Sequence, residues 1–175
     1  MRNESLSHSI MMLCMVGAVA VVVGQWQPLF TPSVGVQQRL FKQSERSDIR
    51  IVVDLSDRRV YLHHQQVVKA SYPIAVGQKG WETPTGRFMV LAMQEYPTWQ
   101  HPITGQEIPP GKGNPLGARW IKFTTADYLE IGFHGTEQEN TIGQAVSHGC
   151  IRMRNSDIIQ LYDQIKLGTI VEVRP

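Results

Sequence analysis

From Asp48 onward the chain is written in short β-branched and aromatic runs separated by turn residues, a rhythm that suits strands and starves helices. Ile49-Arg50-Ile51-Val52-Val53-Asp54 and Arg59-Val60-Tyr61-Leu62-His63 flank Ser56-Asp57-Arg58, which predicts a hairpin. Further strands are expected at Val67 to Ala75, Arg87 to Met93, Arg119 to Thr124, Tyr128 to Phe133 and Thr169 to Arg174. The 15 glycines and 10 prolines gather between Gly77 and Gly117, so the middle of the chain should be turns and long loops, and a helical bundle is excluded. One helix is expected late in the chain. Ser156 can cap it, Asp157 suits the positive end of its dipole, and Ile158, Ile159, Tyr162 and Ile165 recur at helical spacing before Gly168 stops it.

Ahead of this mainly β region, Ile10 to Val23 is an uninterrupted uncharged run that follows Arg2 and precedes a polar stretch. It falls short of the roughly 20 residues that span a bilayer and matches the apolar region of a signal peptide. Residues 1–24 are therefore expected to be a signal peptide or a short membrane anchor, and export to the periplasm or cell envelope follows. Ala18-Val19-Ala20 has the shape of a cleavage site but lies inside the run. Met12-Leu13 before Cys14 do not fit a lipidation site. Residues 25–47 carry two prolines and no sustained period, and are expected to be a linker to one domain over 48–175. The 17 Lys and Arg residues nearly balance the 15 Asp and Glu, which argues against a nucleic-acid partner.

Beyond the leader there is one cysteine, Cys150, in Ser147-His148-Gly149-Cys150-Ile151-Arg152. Exported domains use cysteines in pairs, so a single one is a free thiol. A thiol with the ordinary pKa of about 8.5 is only a few per cent thiolate at neutral pH, so a nucleophilic role needs a neighbouring base. His134 and His148 are the candidates. Along Tyr128 to His134 the residues alternate, with Leu129, Ile131 and Phe133 on one face and Glu130, Gly132 and His134 on the other. His134 then arrives at a strand end, able to face Cys150, whereas His148 lies along the same segment. A histidine neighbour that lowered the thiol pKa by about two units would make the thiolate the majority form. Gly149 lets the backbone turn and a carbonyl approach, and the N–H groups of Gly149 and Cys150 could line an oxyanion hole. Two other readings compete: a small buried cysteine with no chemistry, and a zinc site formed by His134, His148 and Cys150.

His134-Gly135-Thr136 followed by Ser147-His148-Gly149-Cys150-Ile151-Arg152-Met153 resembles the signature of the L,D-transpeptidase (YkuD-type) catalytic domain. Val53-Asp54-Leu55-Ser56, Thr83-Pro84-Thr85-Gly86-Arg87-Phe88 and Gly113-Asn114-Pro115-Leu116-Gly117 resemble further segments of that family in the same order. The resemblance covers about Asp48 to Pro175. It implies a mainly β fold of sandwich or barrel-like form, with one helix after the cysteine and a long cleft loop. It also implies that Cys150 is the nucleophile and His134 the proton acceptor, with the carbonyl of Gly135, a position often serine in the family, orienting the imidazole. Ser147, His148 and Gly149 would form the site turn. Arg152 would be either a substrate-side group or an arginine tied to backbone carbonyls. The Tyr96 to Gly117 loop would either wall the cleft, bringing Trp99 and His101 to the substrate, or pack on the sheet.

The implied substrate is the peptide stem of peptidoglycan, as donor and as acceptor, with no cofactor. Cys150 would take the acyl group of a tetrapeptide stem as a thioester, release D-Ala, and pass the acyl group to an amine to give a 3-3 crosslink. Carbapenems would acylate the same thiol. Water as acceptor would make the protein an L,D-carboxypeptidase, and loss of turnover would leave a wall-binding module of the same fold.

Overall fold

The computed structural model describes residues 48–101, 104–126 and 129–175. The expected leader and linker, and Tyr128 at the head of a predicted strand, lie outside the described residues. The hairpin forms where it is predicted. Strand β1 (Ile49–Asp54) pairs antiparallel with β2 (Arg59–His64), Ile49 opposite His64 and Asp54 opposite Arg59. Its turn is set by Asp54, whose Oδ1 accepts the Ser56 hydroxyl at 2.8 Å and the Asp57 N–H at 2.9 Å. Strand β3 (Val67–Pro73) pairs with β2 and ends at Pro73, not Ala75. The Ile74 N–H turns away to the Arg58 carbonyl, and Ala75 exchanges both of its backbone hydrogen bonds with Arg152.

Next comes β4 (Val76–Gly77), and then the chain enters β5 (Gly86–Met89). The run Arg87 to Met93, predicted as one strand, is cut in two at Val90-Leu91. The Val90 N–H bonds the Thr169 carbonyl beside the first sheet, and the Leu91 N–H bonds the Lys122 carbonyl of the second. The chain thus changes sheets within two residues, and β6 (Ala92–Glu95) belongs to the other layer. Local propensity is the same on both sides of the break, so only the tertiary partners distinguish them.

Five strands form the first sheet in the order β3-β2-β1-β13-β5, with β13 (Ile170–Arg174) parallel to β1. The second sheet has the order β12-β10-β9-β6, where β9 is Arg119–Ala126, β10 is Leu129–Thr136 and β12 is Ile151–Arg154. Strands β10 and β12 run parallel. Alternation supplies the core: Ile51, Val53, Val60, Leu62, Val171 and Val173 from the first sheet join Ile121, Phe123, Ile131, Phe133, Ile151 and Met153 from the second in one buried cluster. Phe123 bridges the layers, its ring centre 5.3 Å from Phe88 and 5.1 Å from Phe133. Pairs of this kind each add about 0.5–1.5 kcal/mol beyond area burial.

One α-helix occurs among the described residues, α1 (Asn155–Tyr162), directly after β12. Ile158 and Leu161 enter the core from it. Its start differs from the expected one. The cap position is Arg154, with no side-chain cap bond, and Ser156 lies inside the first turn, where its hydroxyl donates to Asp157. Asn155, one residue earlier, is used in another way described below. The helix also ends at Tyr162, short of Ile165, and Gly168 with φ of 81° belongs to a later turn into β13.

The long loop after β6 is ordered by a small hairpin, β7 (Trp99–Gln100) with β8 (Glu107–Ile108). Asn114, 2 % exposed, holds it from within. Its Nδ2 donates to the carbonyls of Pro97 at 2.8 Å, Ile108 at 3.1 Å and Pro109 at 3.2 Å, and its Oδ1 accepts the Leu116 N–H at 2.9 Å. Finally, β11 (Ala145–Ser147) pairs parallel with β4, which anchors the segment leading to Cys150.

Candidate active site

The site lies on the face of the second sheet that points away from the core. In the parallel pairing of β10 with β12, Phe133 stands opposite Ile151 and His134 opposite Arg152. Phe133, Ile151 and Met153 are buried in the core, so alternation sends His134 and Arg152 to the other face, together with Gly132. Cys150 is the residue just ahead of β12 and half-buried, so it enters the strand pair beside β10, which carries His134. The Cys150 Sγ lies 3.5 Å from the Glu130 carbonyl and is also bonded by the Gly132 N–H. Gly132 has no room for a side chain: a Cβ there would sit 2.4 Å from the Ile121 carbonyl oxygen and 2.9 Å from the Trp120 ring.

His134 Nδ1 lies 2.7 Å from the Gly135 carbonyl. A carbonyl can only accept, so the neutral ring carries its hydrogen on Nδ1 and its lone pair on Nε2. Burial pulls the imidazole pKa from 6.5 down to about 4; the Gly135 carbonyl works against this, the Arg152 guanidinium adds to it, and the Pro115 carbonyl opposes it. Burial likewise pushes the Cys150 thiol above its ordinary value, against the Gly132 N–H and the Arg152 guanidinium, while Glu130 adds to the rise. The resting pair is thus a neutral thiol beside a neutral imidazole. A majority thiolate, which a histidine neighbour alone would favour, does not follow from these surroundings. Both groups lie in a desolvated face where separating charge is expensive.

Around the nucleophile the turn is braced from two sides. The Ser147 hydroxyl donates to the Cys150 carbonyl at 2.5 Å, and the Ser147 carbonyl accepts the Gln78 N–H at 3.0 Å. Gly149 has φ of 103°, a conformation that disfavours any other residue, and a Cβ there would meet Ile131 at 3.0 Å. Beneath the turn, Gly77 opposes Ser147 and gives its N–H to Thr83 Oγ1 at 3.0 Å. His148 is exposed and stands edge-on to Trp81, with ring centres 5.0 Å apart at 89°. Trp81 is a residue that sequence reasoning missed, since an isolated tryptophan in a glycine-rich turn carries no period.

Arg152 is held from both its backbone and its side chain. Its backbone is bonded to Ala75, but its guanidinium reaches the Gln138 side chain at 3.5 Å and acts electrostatically on both His134 and Cys150. Trp99 and His101 are brought to each other, ring centres 5.3 Å apart, on the β7–β8 hairpin. His101 Nδ1 accepts the Thr104 N–H at 3.3 Å within that hairpin. Among the described residues no group of three or more His, Cys, Asp or Glu side chains is arranged to hold a metal ion, so His134, His148 and Cys150 do not form the zinc site considered from sequence. Two further residues shape the site without a sequence signal, Trp120 opposite His134 and Asn155 at the head of α1, while Asn114, within the family-like Gly113 to Gly117 segment, fixes the turn that carries Pro115.

Known proteins share this fold. The family model for the L,D-transpeptidase catalytic domain (YkuD) matches residues 48–173. A Bacillus licheniformis protein provisionally named L,D-transpeptidase YkuD is 36% identical over 126 residues, covering 72% of this chain and 66% of its own. The L,D-transpeptidase ErfK/SrfK of Escherichia coli, also provisionally named, is 34% identical over 83% of this chain and 51% of its own. The chain thus spans less than two thirds of these relatives. An L,D-transpeptidase from Mycobacterium smegmatis has the same fold with a TM-score of 0.60 at 19% identity, covering 73% of this chain and 59% of that one. The avibactam carbamoyl enzyme of Ldtfm superposes with a TM-score of 0.60 at 25% identity, over 73% of this chain and 49% of that one. With a mainly β sandwich, a helix behind the cysteine strand and a family match across the whole described domain, the chain belongs to the L,D-transpeptidase (YkuD) catalytic domain family.

Proposed function

We propose that this domain is a cysteine-dependent L,D-transpeptidase acting on the tetrapeptide stems of peptidoglycan. The observation that carries the reading is that Cys150, at the entry to β12, is bonded through its sulfur to the backbone of β10, the parallel neighbour that carries His134, whose Nδ1 is committed to the Gly135 carbonyl so that Nε2 is left as the base. Because the resting pair is neutral, the thiol proton passes to Nε2 as sulfur attacks the carbonyl of the third stem residue. The imidazolium then protonates the leaving amine, D-Ala departs, and a thioester remains on Cys150. An acceptor amine attacks the thioester, gives its proton to His134, and leaves as the new amide while the thiol is restored. The N–H groups of Gly149 and Cys150, on the turn braced by Ser147, are the candidate donors for the oxyanion. Arg152 stabilises the sulfur anion as it forms.

Export to the cell envelope fits this substrate and is supported by the uncharged run Ile10 to Val23. The related avibactam carbamoyl enzyme of Ldtfm is consistent with a family nucleophile that takes up such a group.

The test is incubation with a disaccharide tetrapeptide, followed by intact mass and product analysis. Wild type is expected to show an acyl adduct on Cys150 and D-Ala release, and Cys150→Ala neither. Equal behaviour of the two proteins overturns the proposal. With an amine acceptor present, a dimeric product identifies transpeptidation, and a tripeptide alone identifies the carboxypeptidase.

A further inference from the structure

Behind the His134 strand end, two glycines face a single side chain. A Cβ built on Gly135 would lie 2.1 Å from Asn155 Oδ1, and one built on Gly117 would lie 2.4 Å from the same atom. The Asn155 amide fills the space that both residues leave empty. It uses both of its ends: Oδ1 accepts the Ala118 N–H at 2.9 Å, and Nδ2 donates to the Thr136 carbonyl at 3.3 Å. Asn155 is the first residue of α1, directly after the strand that follows Cys150. One amide therefore ties together the nucleophile strand, the end of the base strand and the close of the long loop.

The peptide between Gly135 and Thr136 presents the carbonyl that holds His134 Nδ1. Gly135 itself is free to rotate in the unfolded chain and has no side chain to fix its peptide planes. The ladder with β12, where Gly135 stands opposite Met153, aligns the strand, and the amide packed against the Gly135 Cα with its bond one residue on, at the Thr136 carbonyl, holds the planes beyond that. The same amide holds the Ala118 N–H, adjacent to the Pro115-Leu116-Gly117 segment whose Pro115 carbonyl also faces the imidazole. This placement explains why Asn155 occupies the first helical turn without capping it: its polar atoms are turned back to the sheet.

We propose that Asn155 is a positioning residue that locks the Gly135 carbonyl toward His134 Nδ1, and so selects the imidazole tautomer with a free Nε2. Gly135 is glycine to admit it, and Gly117, whose φ is 61° and which lies against the Gly135 backbone as well, leaves the same space open. This inference rests on the reading of His134 as the base. Asn155→Ala leaves Cys150, His134 and Arg152 in place but lets the Gly135 peptide turn, so a fraction of the ring carries its hydrogen on Nε2 and cannot accept the thiol proton.

The test uses the full chain with ¹⁵N-labelled histidine. At neutral pH wild type is expected to show His134 wholly as the Nδ1–H tautomer, and Asn155→Ala a mixture. On the tetrapeptide, kcat is expected to fall roughly 10- to 100-fold with KM within about twofold, since substrate contacts are unchanged. Asn155→Asp keeps the acceptor for Ala118 and loses the donor to Thr136, and is expected to fall between the two. Gly135→Ala is expected to be inactive alone and partly restored when combined with Asn155→Ala, a coupling that generic destabilisation does not produce. An unchanged tautomer in a folded Asn155→Ala protein, or equal damage by Gly135→Ala with and without Asn155, overturns the proposal. The tautomer is read without turnover, so a protein in which Cys150 proves dispensable fails the functional reading and leaves this measurement standing.

Discussion

Trp120 stands directly opposite His134 in the antiparallel pairing of β9 and β10, its ring centre 6.2 Å from that of the imidazole. Its ring also lies over Gly132, which bonds the Cys150 sulfur, so one indole shields the base and the floor beside the nucleophile. Burial is the main reason the His134 pKa falls to about 4. Trp120→Ala admits water to this face, and the His134 titration midpoint is expected to rise toward its ordinary 6.5. Proton NMR of the imidazole against pH checks it. An unmoved midpoint would assign the burial to the loop that carries Pro115.

The same histidine should make the fold acid-sensitive. Its pKa is about 4 in the folded chain, against the ordinary 6.5 of a solvated imidazole, so below pH 6.5 the unfolded state takes up a proton that the folded state refuses. Stability is therefore full above pH 6.5, falls through the window to about pH 4, and levels off below it. The loss attributable to this group is roughly 3 kcal/mol. Denaturant melts of wild type and His134→Gln across this window measure it, and the variant is expected to show a flatter profile.

Much of this architecture is legible in the sequence because it rests on alternation. β1, β2, β9 and β10 carry long period-two patterns, and their inward residues are those buried in the core. What fails to announce itself depends on partners far away in the chain. Val90-Leu91 looks like strand interior, yet its two N–H groups serve different sheets. Ser156 looks like a cap, but the preceding Asn155 is drawn to the sheet and the helix begins ahead of the serine. Cys150 and His134 stand out by residue type and motif. The groups that tune them, Trp120 and Asn155, are ordinary residues whose roles arise only from strand register and from space left by glycine. Burial was the hardest quantity to foresee. His134 sits on the outer face, as alternation predicts, but Trp120 and the Pro115 segment make that face a dry one.

Arg152 lowers the pKa of both the thiol and the imidazole, so replacing it separates its electrostatic part from its packing. In Arg152→Gln the thiolate loses a nearby cation, and the Cys150 pKa is expected to rise further above its ordinary value. The imidazole moves the same way, since its protonated form no longer faces a guanidinium. Iodoacetamide alkylation followed against pH is expected to shift to more alkaline pH than in wild type. A shift to lower pH would show that Arg152 does not act on the sulfur as a charge.

Asn114 offers the sharpest test of the loop that covers the site. It is 2 % exposed and satisfies three carbonyls through one amide nitrogen while its oxygen holds the Leu116 N–H. Asn114→Ala strands these groups in a place water reaches poorly, at an expected loss of about 1–3 kcal/mol. The damage should be local. Pro97, Ile108 and Pro109 belong to the loop and its hairpin, while the core cluster draws on neither β7 nor β8. Limited proteolysis is therefore expected to cut the variant between Tyr96 and Gly117 well before the sandwich opens. The Pro115 carbonyl, which favours the protonated form of His134, is carried on the same segment. Releasing it removes one restraint on the base but also lets water in, and the second effect should dominate because burial is the largest cause of the depressed pKa. The His134 midpoint is accordingly expected to rise in Asn114→Ala, and a fall would mean that the Pro115 carbonyl outweighs the shielding given by the loop.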